Sequence, residues 1–251
     1  MICIVTDLDN TLVGNVAATQ EFNQNVLALG ETVRLVYATG RSYVSALRLK
    51  ARADLLEPDY WITGVGSEIH QGMTIDRTWS DQLSHRWNRS ALWTIAKQVS
   101  SEFPALIPQP EDTSNEHKIS FYLYGDDAEI VLDILRDRIA KSGLAAQVIY
   151  SSNEDVDILP IRCDKGLAMR YVMEKTRFNN TNTIVCGDSG NDIGLFKQNT
   201  LGIVVGNARS ELLMWCQECG AEKTIFFARS ECAAGILEGL AHFGVLEGSI
   251  Q

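Results

Sequence analysis

No run in this 251-residue chain stays apolar for the ~20 residues that a membrane-spanning helix requires. A basic leader and a small-residue cleavage site are missing at the N-terminus, so the chain is read as cytoplasmic. Positive charge is scarce too, with 22 Lys and Arg against 32 Asp and Glu and a net charge of -10. That balance argues against nucleic acid or an anionic membrane as partner. It leaves room for a phosphorylated small molecule, because a metal and a few local cations set the field of a single pocket. The cysteines do not complete a zinc site. Cys216 and Cys219 form one C-x-x-C, with no second C-x-x-C or H-x-x-x-H to match it. The pair falls late in an amphipathic stretch, whereas a redox motif follows a strand and opens a helix. Internal repeats and low-complexity tracts are absent. Hydrophobic residues at 45% and charged residues at 22% are ordinary globular values. The length suits one large domain, or one domain with a smaller insertion.

What is present begins at the first residues. Ile2 to Val5 is a β-branched apolar run that reads as a buried strand. Asp7 and Asp9 follow at spacing two, which on a continuing strand sends both side chains to one side. Two like charges that close are costly unless a cation sits between them or a proton is shared. A turn after a strand, with Thr11 as a cap, would use the same residue types. The rest of the chain decides between these readings.

Ala17 to Leu29 has a helical pattern, Thr32 to Ala38 reads as a strand, and a helix follows to about Ala53. Pro58 to Thr63 reads as a third strand, followed by a glycine-broken loop from Gly64 to Ile69. This alternation predicts a parallel sheet with its chemistry beyond the carboxyl ends of the strands. From Ser84 to about Leu159 the pattern changes to a smaller α/β module. It has helices at Trp87 to Ser101 and Ala128 to Lys141, and strands at Lys118 to Tyr124, Ala145 to Ser151 and Val156 to Leu159. The first pattern then resumes. A helix spans Asp164 to Lys175, strands span Thr183 to Cys186 and Leu201 to Val205, and two helices lie near Ser210 to Cys219 and Ser230 to Phe243.

Chemical groups gather at the predicted strand ends: Asp7 and Asp9 at the first, Thr39 and Gly40 at the second, Asp188, Asn191 and Asp192 at a later one. Lys165 heads the helix before that later strand. Three acids make a hard oxygen site suited to Mg2+. A lysine and a hydroxyl suit phosphoryl oxygens. Asp7 is then a candidate nucleophile toward phosphorus, and Asp9 a candidate proton donor and acceptor. Mg2+ and Lys165 would neutralise charge on the transferring group. Thr39, Gly40, Lys165, Asn191 and Asp192 are candidates for binding phosphate and supporting the site. Singly, each has a plain structural reading: Gly187 to Asp192 as a capped turn, Lys165 as a solvated lysine, Thr39 as a helix cap. Their joint order points to phosphoryl chemistry.

The stretches D-L-D-N-T at Asp7 to Thr11, A-T-G-R at Ala38 to Arg41, Lys165, and G-D-S-G-N-D at Gly187 to Asp192 resemble the four motifs of the haloacid dehalogenase superfamily. The resemblance implies an α/β fold with a Rossmann-like parallel-sheet core, residues 1–83 and 159–251, and an inserted smaller α/β cap, residues 84–158. It implies Mg2+ held by Asp7, the backbone carbonyl of Asp9, and Asp188. An aspartate at the second acid position, Asp9, is similar to phosphatases and mutases of the superfamily.

Further stretches resemble the sucrose-phosphate phosphatases of cyanobacteria and plants: Y-A-T-G-R-S-Y at Tyr37 to Tyr43, E-P-D-Y-W at Glu57 to Trp61, V-G-S-E-I at Val65 to Ile69, and D-V-D-I-L-P at Asp155 to Pro160. That family resemblance implies hydrolysis of sucrose 6-phosphate, the last step of sucrose synthesis, through an aspartyl-phosphate on Asp7. It also raises association with a sucrose-phosphate synthase. The chain looks like the short cyanobacterial form, without the C-terminal extension of the plant enzymes. A related phosphatase, such as one acting on mannosyl-3-phosphoglycerate, and a phosphohexomutase stay open as alternatives. Arg41, Gly66, Ser67 and Glu68 on the core, and Lys118, Gln147, Asp155 and Asp157 on the cap, are expected to contact the sugar, since carboxylates and amides pair well with hydroxyls. The five tryptophans are expected to serve packing.

Overall fold

The computed structural model describes residues 1–219 and 224–246. In chain order the elements open with β1 (Ile2–Thr6), α1 (Val16–Leu29), β2 (Val33–Ala38), α2 (Tyr43–Ala53), β3 (Tyr60–Thr63), β4 (Glu68–Gln71), β5 (Thr74–Ile75) and α3 (Arg77–Leu83). They continue with α4 (Arg89–Glu102), β6 (Leu106–Pro108), β7 (Ile119–Leu123), α5 (Ala128–Lys141), β8 (Ala146–Ser151) and β9 (Asp155–Pro160). The last are α6 (Lys165–Thr176), β10 (Thr183–Gly187), α7 (Ile193–Phe196), β11 (Leu201–Val204), α8 (Ser210–Cys219), β12 (Ile225–Phe227) and α9 (Cys232–His242).

The large sheet has the order β12-β11-β10-β1-β2-β3-β4-β5. β1 sits in its middle, hydrogen-bonded in parallel to β10 on one side and β2 on the other. A central strand buried on both faces favours apolar residues, which is why Ile2 to Val5 and Ile184 to Cys186 read as unbroken apolar runs. Period two then divides β1 between two cores. Ile4 packs with Phe22 of α1, Leu49 of α2 and Ile236 of α9. Cys3 and Val5 pack with Met169 and Val172 of α6 and Leu212 of α8. The result is a three-layer α/β core, as expected for a doubly wound sheet.

Three features depart from the sequence pattern. β4 and β5 pair antiparallel and extend the sheet where a loop is expected. Left-handed backbone at Gly64 (φ +56°), Val65 (φ 57°) and Gly66 (φ +93°) turns the chain straight back on β3. β6 and β12 are three-residue strands, too short to show a period of two. β1 itself ends at Thr6, so neither Asp7 nor Asp9 continues the strand.

The second sheet, order β6-β7-β9-β8, is antiparallel throughout. One face is apolar and packs with Leu92, Ala96 and Val99 of α4 and Leu132 and Leu135 of α5. The opposite face carries Ser120, Tyr122, Asp155 and Asp157, which period two places on one side of the paired strands. β9 runs to Pro160, so this sheet reaches two residues past position 158, where the sequence pattern ends the inserted module. The tryptophans pack. Trp61 and Trp79 are buried, and Trp93 lies against Phe121. No helix among the described residues is long and apolar enough to cross a membrane.

Candidate active site

The site forms where the carboxyl ends of β1, β2 and β10 meet the polar face of the smaller sheet. The Asp7 amide donates to the Cys186 carbonyl at 3.0 Å, which fastens the end of β1 to β10. The Leu8 carbonyl then accepts from the amides of Leu12 (3.0 Å) and Val13 (2.7 Å), with Asn10 left-handed at φ 58°. Asn tolerates that conformation better than most residues. This tight turn buries Asp7 and leaves Asp9 half exposed. The two acids share one cavity through a turn, not along a strand.

Lys165 is fully buried and bridges two carboxylates, 2.6 Å from Asp7 and 2.7 Å from Asp192. It opens α6, whose N-cap Asp164 accepts from the Leu167 amide at 2.6 Å. Burial alone would depress the lysine pKa. The carboxylates of Asp192 and Asp7 outweigh it and hold the ammonium above its ordinary value. A solvated lysine is therefore excluded.

Asp192 has both oxygens committed. One accepts from Lys165, and the other accepts from the amides of Asp188 (3.0 Å) and Ser189 (3.1 Å). Gly187 makes that possible, since a Cβ there would lie 2.6 Å from the Asp192 Cβ. Thr11 donates to Asp188 at 3.0 Å, so the first and last motifs are joined directly. Asp7, Asp188 and Asp192 each offer an oxygen within 4.8 Å of the others. Burial pushes the Asp7 carboxyl well above the usual range; Lys165 opposes this, and Asp192 and Asp188 add to it. Burial, then the charge of Asp192, pushes Asp188 up to about 7. Acids crowded this way need positive charge beyond Lys165 to ionise together. With Asp192 spent, Asp7 and Asp188 are the pair able to hold a divalent cation, and a hard oxygen set of this kind fits Mg2+.

Thr39 is buried at the end of β2. Its amide donates to Ile62, and its hydroxyl accepts from the Arg41 amide at 3.2 Å. Arg41, expected at the sugar, lines the cavity and grips Asp9. Its Nε and Nη2 reach the two Asp9 oxygens at 2.7 Å each, and its Nη1 donates to Ser45 at 2.9 Å. A bidentate fork of this kind fixes orientation as well as charge.

A cavity of about 480 Å3 lies between the two sheets, lined by Asp7, Asp9, Gly40, Arg41, Asp188 and Asn191 below and by Gln109, Lys118, Tyr122, Asp155 and Asp157 above. The upper wall is built on a buried ion pair. Lys118 lies 3.0 Å from Asp157 and also donates to the Thr113 carbonyl at 3.1 Å, while Ser120 donates to Asp157 at 2.7 Å. Gln109 donates to Asp155 at 2.6 Å. Burial, then the charge of Asp157, raises the Asp155 pKa.

Four expected sugar contacts do not line this cavity. The Gly66 carbonyl accepts from the Trp79 indole at 2.9 Å, and Ser67 accepts from Asn115 at 2.7 Å. Glu68 begins β4 and faces Thr63 and His70. Gln147 donates to the carbonyls of Pro160 (3.1 Å) and Cys163 (2.7 Å), bracing the segment that leads into Lys165. Their polar groups stabilise turns and connections. Conversely, Gln109 and Tyr122 line the cavity with no motif around them in the sequence to mark them. Tyr122 lies opposite Asp155 on the paired strand, a register that only the fold supplies, and Gln109 lies between two prolines and gives no periodic signal.

The family described as Sucrose-6F-phosphate phosphohydrolase matches residues 1–244. A probable sucrose-phosphatase 3a of Arabidopsis thaliana is 35% identical over 96% of this chain. The chain spans 59% of that relative's own length. A mannosylfructose-phosphate phosphatase of Agrobacterium fabrum is 31% identical, over 96% of both chains. Among solved structures, the sucrose-phosphatase of Synechocystis sp. PCC6803, in complex with sucrose and phosphate, superposes with a TM-score of 0.91. It is 42% identical and the match covers 97% of this chain and 98% of that one.

Proposed function

The chain belongs to the sucrose-6F-phosphate phosphohydrolase family, and on that footing we propose that it hydrolyses sucrose 6-phosphate to sucrose and phosphate. The observation that carries this reading is the buried Asp7–Lys165–Asp192 cluster facing an upper wall of Lys118, Asp155 and Asp157 across one cavity. The first part suits phosphoryl transfer and the second suits hydroxyl-rich substrate.

In the proposed reaction a carboxylate oxygen of Asp7 attacks phosphorus and forms an aspartyl-phosphate, while the sugar oxygen leaves with a proton from Asp9. Asp9 then takes a proton from the water that hydrolyses the phosphoenzyme. Lys165 holds positive charge against the transferring group, and Gly40 and Asn191 border the phosphate position with Thr39 buried behind them. Asp7, Asp188 and the Asp9 carbonyl would hold Mg2+, which supplies further charge neutralisation on the phosphoryl oxygens. Residues 84–158 act as the cap, closing over the site and adding the sugar contacts. The proposed setting is the cytoplasm, in the compartment of a synthase that makes the phosphorylated disaccharide.

The test is phosphate release from sucrose 6-phosphate, mannosylfructose phosphate, glucose 6-phosphate and fructose 6-phosphate. Sucrose 6-phosphate is expected to give the highest kcat/KM. Preference for a monosaccharide phosphate, or isomerised sugar phosphate without free phosphate, would overturn the reading. Activity should vanish in excess chelator and return with Mg2+. Ca2+ should bind and inhibit, because its larger, looser shell fits in-line geometry poorly. Turnover undiminished by chelation would contradict the metal assignment.

Arg41 gives a finer test of the role of Asp9. Arg41→Ala frees the Asp9 carboxylate from its fork, and turnover of sucrose 6-phosphate should fall about tenfold, a fraction of the ~10²–10⁴ that a general acid supplies. p-Nitrophenyl phosphate, whose leaving group departs without a proton, should lose much less. Equal losses on both substrates would mean that Arg41 does not act through proton transfer.

A further inference from the structure

The two walls of the cavity are joined at the rim by one residue that the proposed chemistry does not use. Glu211 is the second residue of α8, on the core side. Its Oε1 accepts from the Ser152 amide at 2.9 Å, at the tip of the β8–β9 hairpin of the cap. The same oxygen accepts from the Gly190 amide at 3.4 Å, in the loop between Asp188 and Asn191. Ser152 and Asn153 are both left-handed, at φ 57° and 55°. That tight turn is what aims the Ser152 amide outward from the hairpin and onto α8.

Two further contacts lie at the same point. Asn191 donates to Ser151 at 3.4 Å, again core to cap. A Cβ on Gly190 would lie 2.9 Å from the Tyr150 carbonyl and 2.9 Å from the Glu211 Cγ, so hairpin, loop and glutamate are in close packing there. The other Glu211 oxygen, Oε2, is buried and has no hydrogen-bond partner among the described residues. A buried carboxylate oxygen without a donor is costly.

We propose that Glu211 is a positioning residue that latches the cap hairpin to the Asp188–Asn191 loop, so that the cap is held over a phosphate site already assembled on the core. The inference rests on the sugar-phosphatase reading above. Glu211 touches no substrate; it acts through Ser152 and Gly190.

The experiment compares Glu211→Ala and Glu211→Gln with the unmodified chain on sucrose 6-phosphate and on p-nitrophenyl phosphate, which does not need the cap. Amide hydrogen exchange at residues 151–154 is measured on the same proteins without substrate. Glu211→Ala should lower kcat/KM for sucrose 6-phosphate by about tenfold, the scale of one hydrogen bond to a charged group. Most of the loss should appear in KM, with the aryl phosphate within about twofold because its reaction bypasses closure. Exchange at the hairpin should rise. Glu211→Gln keeps an oxygen that accepts both amides and should restore most of the sugar-phosphate activity and the protection. Unchanged sugar-phosphate kinetics in Glu211→Ala would overturn the latch. So would equal losses on both substrates, which would make Glu211 a support of the Asp188 loop alone. If the unmodified chain cleaves only the aryl phosphate, the substrate reading fails by itself, and the exchange comparison still decides the latch.

Discussion

Asp7→Asn is expected to reduce phosphate release by about 10⁴-fold or more, the scale seen when a covalent nucleophile is removed. Asn keeps the shape of the side chain and loses the charge that attacks phosphorus. The fold should survive the change. Lys165 keeps its 2.7 Å partner in Asp192, so no buried ammonium is left unpaired. Burial and two neighbouring acids push the Asp7 carboxyl upward, so its ionised form works against folding at neutral pH. For an acid whose folded pKa is raised, stability falls as pH climbs past the unfolded value, and a neutral amide is spared that loss. Without metal, the variant should therefore melt at or slightly above the Tm of the unmodified chain. The increase in Tm produced by Mg2+ should shrink, because a ligand that binds only the folded state stabilises in proportion to its affinity. Calorimetry with and without Mg2+, beside a phosphate-release assay, checks both parts. Retained turnover near the original rate would refute the nucleophile.

Lys118→Ala should have the largest combined effect on specificity and stability. From sequence, Lys118 is expected to donate a hydrogen bond to a sugar, with an effect on the order of 1–3 kcal/mol. In the fold it is also half of a buried ion pair, with the side chains of Lys118 and Asp157 only 4% and 5% exposed. Removing one member strands the other charge, which costs about 3–5 kcal/mol. Asp155 lies two residues along the same strand and suffers from the same loss of positive charge. A clear drop in Tm is expected, together with about a hundredfold loss in kcat/KM for sucrose 6-phosphate, the two hydrogen-bonding roles acting together. p-Nitrophenyl phosphate turnover, measured well below the new Tm, should change little. The double variant Lys118→Met with Asp157→Leu separates the effects, since apolar replacement of a buried pair is often neutral or stabilising. It should regain Tm without regaining sugar-phosphate activity. Recovery of both would mean that the pair only supports the cap. If Lys118→Ala loses both substrates in equal proportion, the specificity role is wrong.

The sequence alone determined the layered core and the order of its chemistry. Buried parallel strands are predominantly apolar, so β1 and β10 announced themselves. Short connections at their carboxyl ends then left Asp7, Thr39 and Asp188 few places to go, and a lysine heading α6 could be read as a site residue from its company. What only the tertiary structure decided was which polar groups meet. Arg41 and Asp9 are 32 residues apart, and Lys165 and Asp7 are 158 apart. No local propensity encodes such a pairing, because it depends on how two strand ends are turned toward each other. The same limit explains Gly66, Ser67, Glu68 and Gln147, whose residue types suit a sugar as well as they suit a turn. In the fold their polar groups meet Trp79, Asn115, His70 and the carbonyls before Lys165. β6 and β12, at three residues each, carry too few positions for a period and were specified by the edges they joined.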